Sequence, residues 1–120
     1  MSGAPEARAL CRLEDIPQGG CKGFAADPAA AYADVVVVRT TAGVFAYRNR
    51  CPHTGAPMEW QPDKFLDYRG QYIQCGLHGA LFRREDGYCV AGPCARQFLP
   101  KVAVMVREGW VVALEALERF

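Results

Sequence analysis

Two short loops of this chain carry the side chains best suited to hold a metal. The first reads Cys51-Pro52-His53-Thr54-Gly55 and the second Cys75-Gly76-Leu77-His78-Gly79, and 21 residues separate His53 from Cys75. Both histidines of the protein lie here, each beside a cysteine. Thiolate selects zinc, copper(I) or iron–sulfur clusters, and imidazole suits zinc, copper and iron. A zinc site usually pairs a C-x2-C knuckle with an H-x3-5-H pair, whereas here each loop offers one Cys and one His. A two-iron cluster accounts for that split, with Cys51 and Cys75 on one iron and His53 and His78 on the other. A structural zinc module built on the same four residues remains the alternative. A third arrangement, an all-cysteine cluster on Cys51, Cys75, Cys89 and Cys94, leaves both histidines unexplained.

The paired C-P-H-x-G and C-x-x-H-G loops resemble the ligand signature of the Rieske [2Fe-2S] family. Gly92-Pro93 is similar to the proline-bearing third loop that covers the cluster in that family, and the resemblance spans roughly Ala9 to Leu114. The spacer between the loops is longer than usual for the family, and Gly76 stands where many members have proline. The resemblance implies one [2Fe-2S] cluster per chain, held by Cys51, His53, Cys75 and His78. It also implies protein redox partners, a reductase as donor and an oxygenase or reductase as acceptor. In high-potential relatives a disulfide ties the two loops, and a serine and a tyrosine donate hydroxyl hydrogen bonds to the cluster. The matching positions here hold Ala56 and Leu77, and Ala80 and Phe82, which implies a potential near the low end of the Rieske range.

Mixed ligation suits such a role. Two thiolates bring an oxidised two-iron, two-sulfide site to neutrality, so an added electron meets less negative charge than in an all-thiolate site. Oxygen chemistry would need a second iron held by two histidines and a carboxylate, and the proposed cluster already takes both histidines. A Gly-rich dinucleotide fingerprint is also lacking. The chain is therefore expected to carry electrons rather than to catalyse a reaction itself.

Ligand loops need a rigid frame, and the pattern around them is all-β. Val35 to Arg39 opens with four β-branched residues, a strand buried on both faces, and Val44 to Arg48 returns after a Thr40–Gly43 turn to deliver the chain to Cys51. Asp67-Tyr68-Arg69-Gly70 is expected to turn Lys64–Leu66 into Tyr72–Gln74, which ends at Cys75. Glu85-Asp86-Gly87 joins Leu81–Arg83 to Tyr88–Val90, and Glu108-Gly109 joins Val102–Val106 to Trp110–Leu114. Ala9–Leu13 and Cys21–Phe24 read as further strands, Asp27–Tyr32 as one helical turn capped by Asp27, and Glu115–Phe120 as a helical stub. The expected architecture is a single domain over residues 1–120, a small antiparallel sandwich or barrel with a cluster-binding subdomain inserted over about 48–95.

Composition excludes other classes. A formal net charge of +1 over 120 residues points to neither nucleic acid nor an anionic membrane. The longest apolar run of note, Val35–Val38, is far short of the roughly 20 residues of a membrane span. Met1–Arg12 has no apolar core of a secretory signal, so the expected location is the cytoplasm, without membrane attachment. In that setting Cys11, Cys21, Cys89 and Cys94 are expected to stay reduced and at least partly buried. Tyr47, Trp60, Phe65, Tyr72, Phe82 and Trp110 are expected to pack the sheets. Arg48, Arg50, Arg83, Arg84 and Arg96 form either a solvated face or a docking surface for an acidic partner.

Overall fold

The computed structural model of the chain describes residues 8–27, 29–52, 57–59, 63–76 and 79–114. Three antiparallel sheets make up the fold. In the first, β1 (Arg8–Arg12) pairs with β10 (Trp110–Ala113), which pairs with β9 (Val104–Arg107). The second runs β2 (Cys21–Phe24), β3 (Val35–Thr40), β4 (Gly43–Arg48), β8 (Lys101–Val102). The third contains β5 (Tyr72–Gln74), β6 (Leu81–Arg83) and β7 (Cys89–Ala91).

The second sheet is the middle layer, which explains the valine run. Val35, Val36, Val37 and Val38 are all fully buried. Successive strand residues point to opposite faces, so Val35, Val37 and Ala46 pack toward the first sheet with Leu10, Ile16, Val102 and Val111. Val36, Val38 and Tyr47 pack toward the third sheet and its loops with Phe65, Ile73 and Phe82. Register agrees, since Val36 faces Tyr47 and Val37 faces Ala46 across the β3–β4 ladder. A strand with water on one side would alternate in polarity, and this one does not need to.

Tyr47 also ties the layers together. Its buried hydroxyl donates to the Arg84 carbonyl (2.8 Å), pinning the β6–β7 turn onto the middle sheet. Burial pushes its pKa up, reinforced by Asp86 and Glu85, so it stays a protonated donor. Gly87, at φ +77, sits against the same ring. A Cβ there would stand 2.8 Å from Tyr47 Cε1.

Three local expectations are corrected. Asp27–Tyr32 holds no helix among its described residues. The Asp27 carboxylate accepts from the Ala29 amide (2.9 Å) and its carbonyl from Ala30 (2.9 Å). The start signal is present but does not propagate, since one turn fixes several dihedrals for a single backbone bond. The Val102–Val106 run is not one strand. It breaks at Ala103, with β8 pairing to β4 and β9 pairing to β10, so one apolar run serves two sheets. Lys64–Leu66 contributes only a bridge from Leu66 to Ile73, although the Asp67 turn forms as expected, the Gly70 amide donating to the Asp67 carbonyl (2.9 Å). The expected stub over Glu115–Phe120 lies outside the described residues. Among the described residues no helix is long and apolar enough to cross a membrane.

Candidate metal centre

Strand β4 hands the chain to the first loop through Asn49, which is buried to 1% exposure. Asparagine rarely sits so deep unless its amide is satisfied, and this one is. Its backbone amide donates to the Asp34 carbonyl (2.9 Å). Its Nδ2 donates to the Ala33 carbonyl (2.9 Å) and to the Glu59 carboxylate, while Oδ1 accepts from the Met58 amide (2.7 Å). Residues 49 and 58 are thereby closed into the neck of a loop that contains Cys51. Burial raises the Glu59 pKa, opposed by hydrogen bonds from the Ala33 amide and the Asn49 side chain.

The second loop spans the β5–β6 connection. The Cys75 amide donates to the Ala80 carbonyl (3.0 Å), and its carbonyl accepts from the Gly79 amide (2.8 Å). One backbone bond joins the two loops directly, from the Gly76 amide to the Met58 carbonyl (2.8 Å). The same Met58 thus receives its orientation from Asn49 and passes it to the segment carrying Cys75.

A third loop follows β7. The Cys89 amide donates to the Gln97 carbonyl (2.8 Å), and the Gln97 amide to the Cys94 carbonyl (2.9 Å). Gly92 has φ +97 and lies so close to the second loop that a Cβ would stand 2.7 Å from Ala80 Cα. Only glycine fits that approach without moving backbone. The Gly92-Pro93 loop therefore packs on Ala80, and Cys94 is fully buried with its Sγ 3.5 Å from Cys51 Sγ.

Of the four expected ligands, Cys51 and Cys75 are fully buried members of one apolar cluster that also contains Met58, Ala80, Phe82 and Cys94. His53 and His78 lie outside the described residues. Among the described residues no three Cys, His, Asp or Glu side chains are grouped to hold a metal. Cys51, Cys75, Cys89 and Cys94 are all described, so this placement speaks against the all-cysteine arrangement. The donor set suits a soft metal centre: thiolates inside an apolar cluster are costly unless a cation takes up their charge.

The remaining candidates separate. Cys11, Cys21, Cys89 and Cys94 are free thiols; burial raises the pKa of Cys11 and Cys21, and Cys89 donates to the Ala91 carbonyl (3.1 Å). Phe65 and Phe82 are buried as expected, Trp60 lies outside the described residues, and Trp110 is instead 39% exposed under the Arg12 guanidinium. Arg83 pairs with Asp86 and stacks on Tyr88, and Arg84 donates to the Gly70 carbonyl (3.0 Å), so both have structural duties. Asn49 and Glu59 escaped sequence reasoning because Arg48-Asn49-Arg50 carries no periodic signal and reads as an exposed loop.

Known structures share this architecture. The ferredoxin of carbazole 1,9a-dioxygenase from Nocardioides aromaticivorans IC177 is 23% identical with a TM-score of 0.69, over 92% of this chain and 98% of that one. A complex of reduced oxygenase and oxidized ferredoxin in carbazole 1,9a-dioxygenase contains a chain 24% identical, TM-score 0.69, over 95% of this chain and 97% of that one. The terminal oxygenase of carbazole 1,9a-dioxygenase from Novosphingobium sp. KA1 is 18% identical, TM-score 0.71, over 98% of this chain and 32% of that one. At these identities the likeness establishes the fold. No curated protein sequence matches the chain. Residues 7–115 match the model of the Rieske [2Fe-2S] domain, and the chain belongs to the Rieske [2Fe-2S] domain family.

Proposed function

We propose that this chain is a one-electron carrier, taking an electron from a reductase and passing it to an oxygenase or reductase partner. Cys51 and His53 of the first loop and Cys75 and His78 of the second would hold one [2Fe-2S] cluster. The observation that carries the proposal is the placement of Cys51 and Cys75. They come from separate loops, are both fully buried in one apolar cluster, and are joined through the Gly76–Met58 backbone bond.

Bound there, the cluster accepts and releases single electrons. The chain's own residues supply the rest. Asn49 and Met58 fix the neck of the first loop, the third loop packs on Ala80, and Met58, Ala80 and Phe82 present apolar surface that keeps water from the thiolates. The ferredoxin and oxygenase of the carbazole dioxygenase system are the precedent for the partner class. The chain is read as one domain, with its cluster-binding subdomain over about 48–95. Its proposed compartment is the cytoplasm, which keeps thiols such as Cys11, Cys21, Cys89 and Cys94 reduced.

The test is a visible and electron paramagnetic resonance spectrum of the purified protein, with His53→Ala and His78→Ala beside it. A brown protein bleached by dithionite, with a Rieske spectrum abolished by either substitution, is expected. A colourless, redox-silent protein containing zinc would sink the proposal, as would an intact Rieske spectrum in His78→Ala.

A further inference from the structure

Among the described residues, the apolar cluster around Cys51 and Cys75 contains few protons that a side chain can donate, and most of them are committed elsewhere. Tyr47 gives its hydroxyl proton to the Arg84 carbonyl. Cys89 gives its thiol proton to the Ala91 carbonyl, and Cys21 to the Asp63 carbonyl (3.3 Å). Ala80 and Phe82 have none to give. Cys94 is the exception, because its partner is a sulfur: Cys51 Sγ, at 3.5 Å. That distance is far beyond the roughly 2.05 Å of a disulfide and suits an S–H···S hydrogen bond.

We propose that Cys94 is a positioning residue for the cluster, donating its S–H to the ligand sulfur of Cys51 and raising the reduction potential. This rests on the reading of Cys51 as a ligand. A ligand thiolate has no proton, so Cys94 is the donor of the pair. Cys94 is not among the four proposed ligands, and among the described residues it forms no group of three metal-binding side chains with Cys51 and Cys75. Its place is fixed by backbone rather than by chance packing. The Gln97 amide holds its carbonyl, the Ala95 amide donates to the Gly92 carbonyl (3.2 Å), and Gly92 abuts Ala80.

The direction of the effect follows from charge. Reduction adds negative charge to the site and its ligand sulfurs, and a hydrogen bond to a more negative acceptor is stronger. In an apolar surrounding the difference is enlarged. The donor therefore stabilises the reduced state more than the oxidised one, and losing it lowers the potential. A thiol is a weak donor, so the effect is modest beside that of a hydroxyl.

Protein-film voltammetry and electron paramagnetic resonance on holo-protein test this with Cys94→Ala and Cys94→Ser. In Cys94→Ala the reduced-to-oxidised ratio at a fixed applied potential is expected to fall about tenfold, about 59 mV downward for a one-electron couple, with the Rieske spectrum kept. Cys94→Ser, which restores a donor, is expected to recover the loss. A change of less than about twofold in that ratio in Cys94→Ala overturns the proposal. So does loss of the Rieske spectrum in both variants, which would make Cys94 a ligand or a purely structural residue. Should only Cys94→Ala fail to assemble, resonance Raman of the wild type and Cys94→Ser in H2O and D2O decides. An Fe–Sγ stretch that shifts in D2O in both proteins supports the bond, and a stretch in the wild type that does not shift overturns it. A wild type without a Rieske spectrum removes the underlying reading as well, whereas a Rieske spectrum with an unmoved potential removes only the role of Cys94.

Discussion

Replacing Asn49 with alanine removes three side-chain hydrogen bonds from the neck of the first ligand loop: to the Ala33 carbonyl, to the Glu59 carboxylate and from the Met58 amide. The two neutral bonds contribute about 1 kcal/mol each and the bond to a carboxylate about 1.5–3 kcal/mol. Glu59 is only half-buried, which puts the charged bond near the lower figure, so the expected loss is about 3–4 kcal/mol. The loss also depends on pH. Burial raises the Glu59 pKa above its ordinary value, so the folded state holds its proton longer than the unfolded chain. The stability linked to that proton is present below the unfolded pKa and is lost as pH rises through the folded one. Above that window Asn49 faces an ionised carboxylate, and below it a neutral one, so the penalty of Asn49→Ala should shrink toward acid. Urea titrations from mildly alkaline to mildly acidic pH, followed by tryptophan fluorescence and by visible absorbance, measure both quantities. Because Met58 links the neck to Gly76, the visible absorbance should disappear at lower urea than in wild type. A variant within about 0.5 kcal/mol of wild type, or a penalty that grows toward acid, would refute the reasoning.

Gly92→Ala forces a Cβ to within 2.7 Å of Ala80 Cα at φ +97, combining backbone strain of about 1–2 kcal/mol with overpacking of about 1–3 kcal/mol. The third loop should lift, and iron release to a chelator should quicken; an unchanged release rate would count against the close approach. Tyr47→Phe leaves the Arg84 carbonyl without its buried donor and should cost about 1–2 kcal/mol in urea unfolding, with no change in cluster spectrum. The wild-type midpoint potential should lie near the low end of the Rieske range, on the order of −150 mV, because the buried Ala80 and Phe82 offer no hydroxyl. A midpoint above zero by protein-film voltammetry would show that other donors dominate.

The parts of this fold legible in the sequence are those where a local pattern has one physical reading. Four consecutive β-branched residues cannot alternate in polarity, so Val35–Val38 had to be a strand covered on both faces, and the structure buries all four. Asp86-Gly87 and Glu108-Gly109 each offer a glycine for positive φ, and each closes a hairpin; Gly87 and Gly109 have φ > 0, as does Glu108. The misreadings arose where one segment's fate depends on distant partners. Nothing within Val102–Val106 shows that Ala46 claims one end and Val112 lies opposite Met105 at the other. Asp27 carries a capping side chain, but a helix needs further turns to offset its nucleus.

The ligand loops show the same division in sharper form. Residue type and spacing mark Cys51, His53, Cys75 and His78 as the proposed ligands, because the proposed chemistry requires those atoms and leaves a signature in the chain. What holds the loops leaves none. Asn49 and Glu59 are ten residues apart and meet over the Ala33 carbonyl and amide on a third segment, a polar knot that only folding reveals. Met58 reads as one more apolar residue, yet its two backbone groups connect Asn49 to Gly76. That bond joins the two loops by main chain. A main-chain link is indifferent to side-chain identity, so substitution at Met58 should disturb packing while leaving the connection in place, whereas Asn49 has no such substitute. The geometry of the proposed centre thus depends most on Asn49, which is not among its proposed ligands.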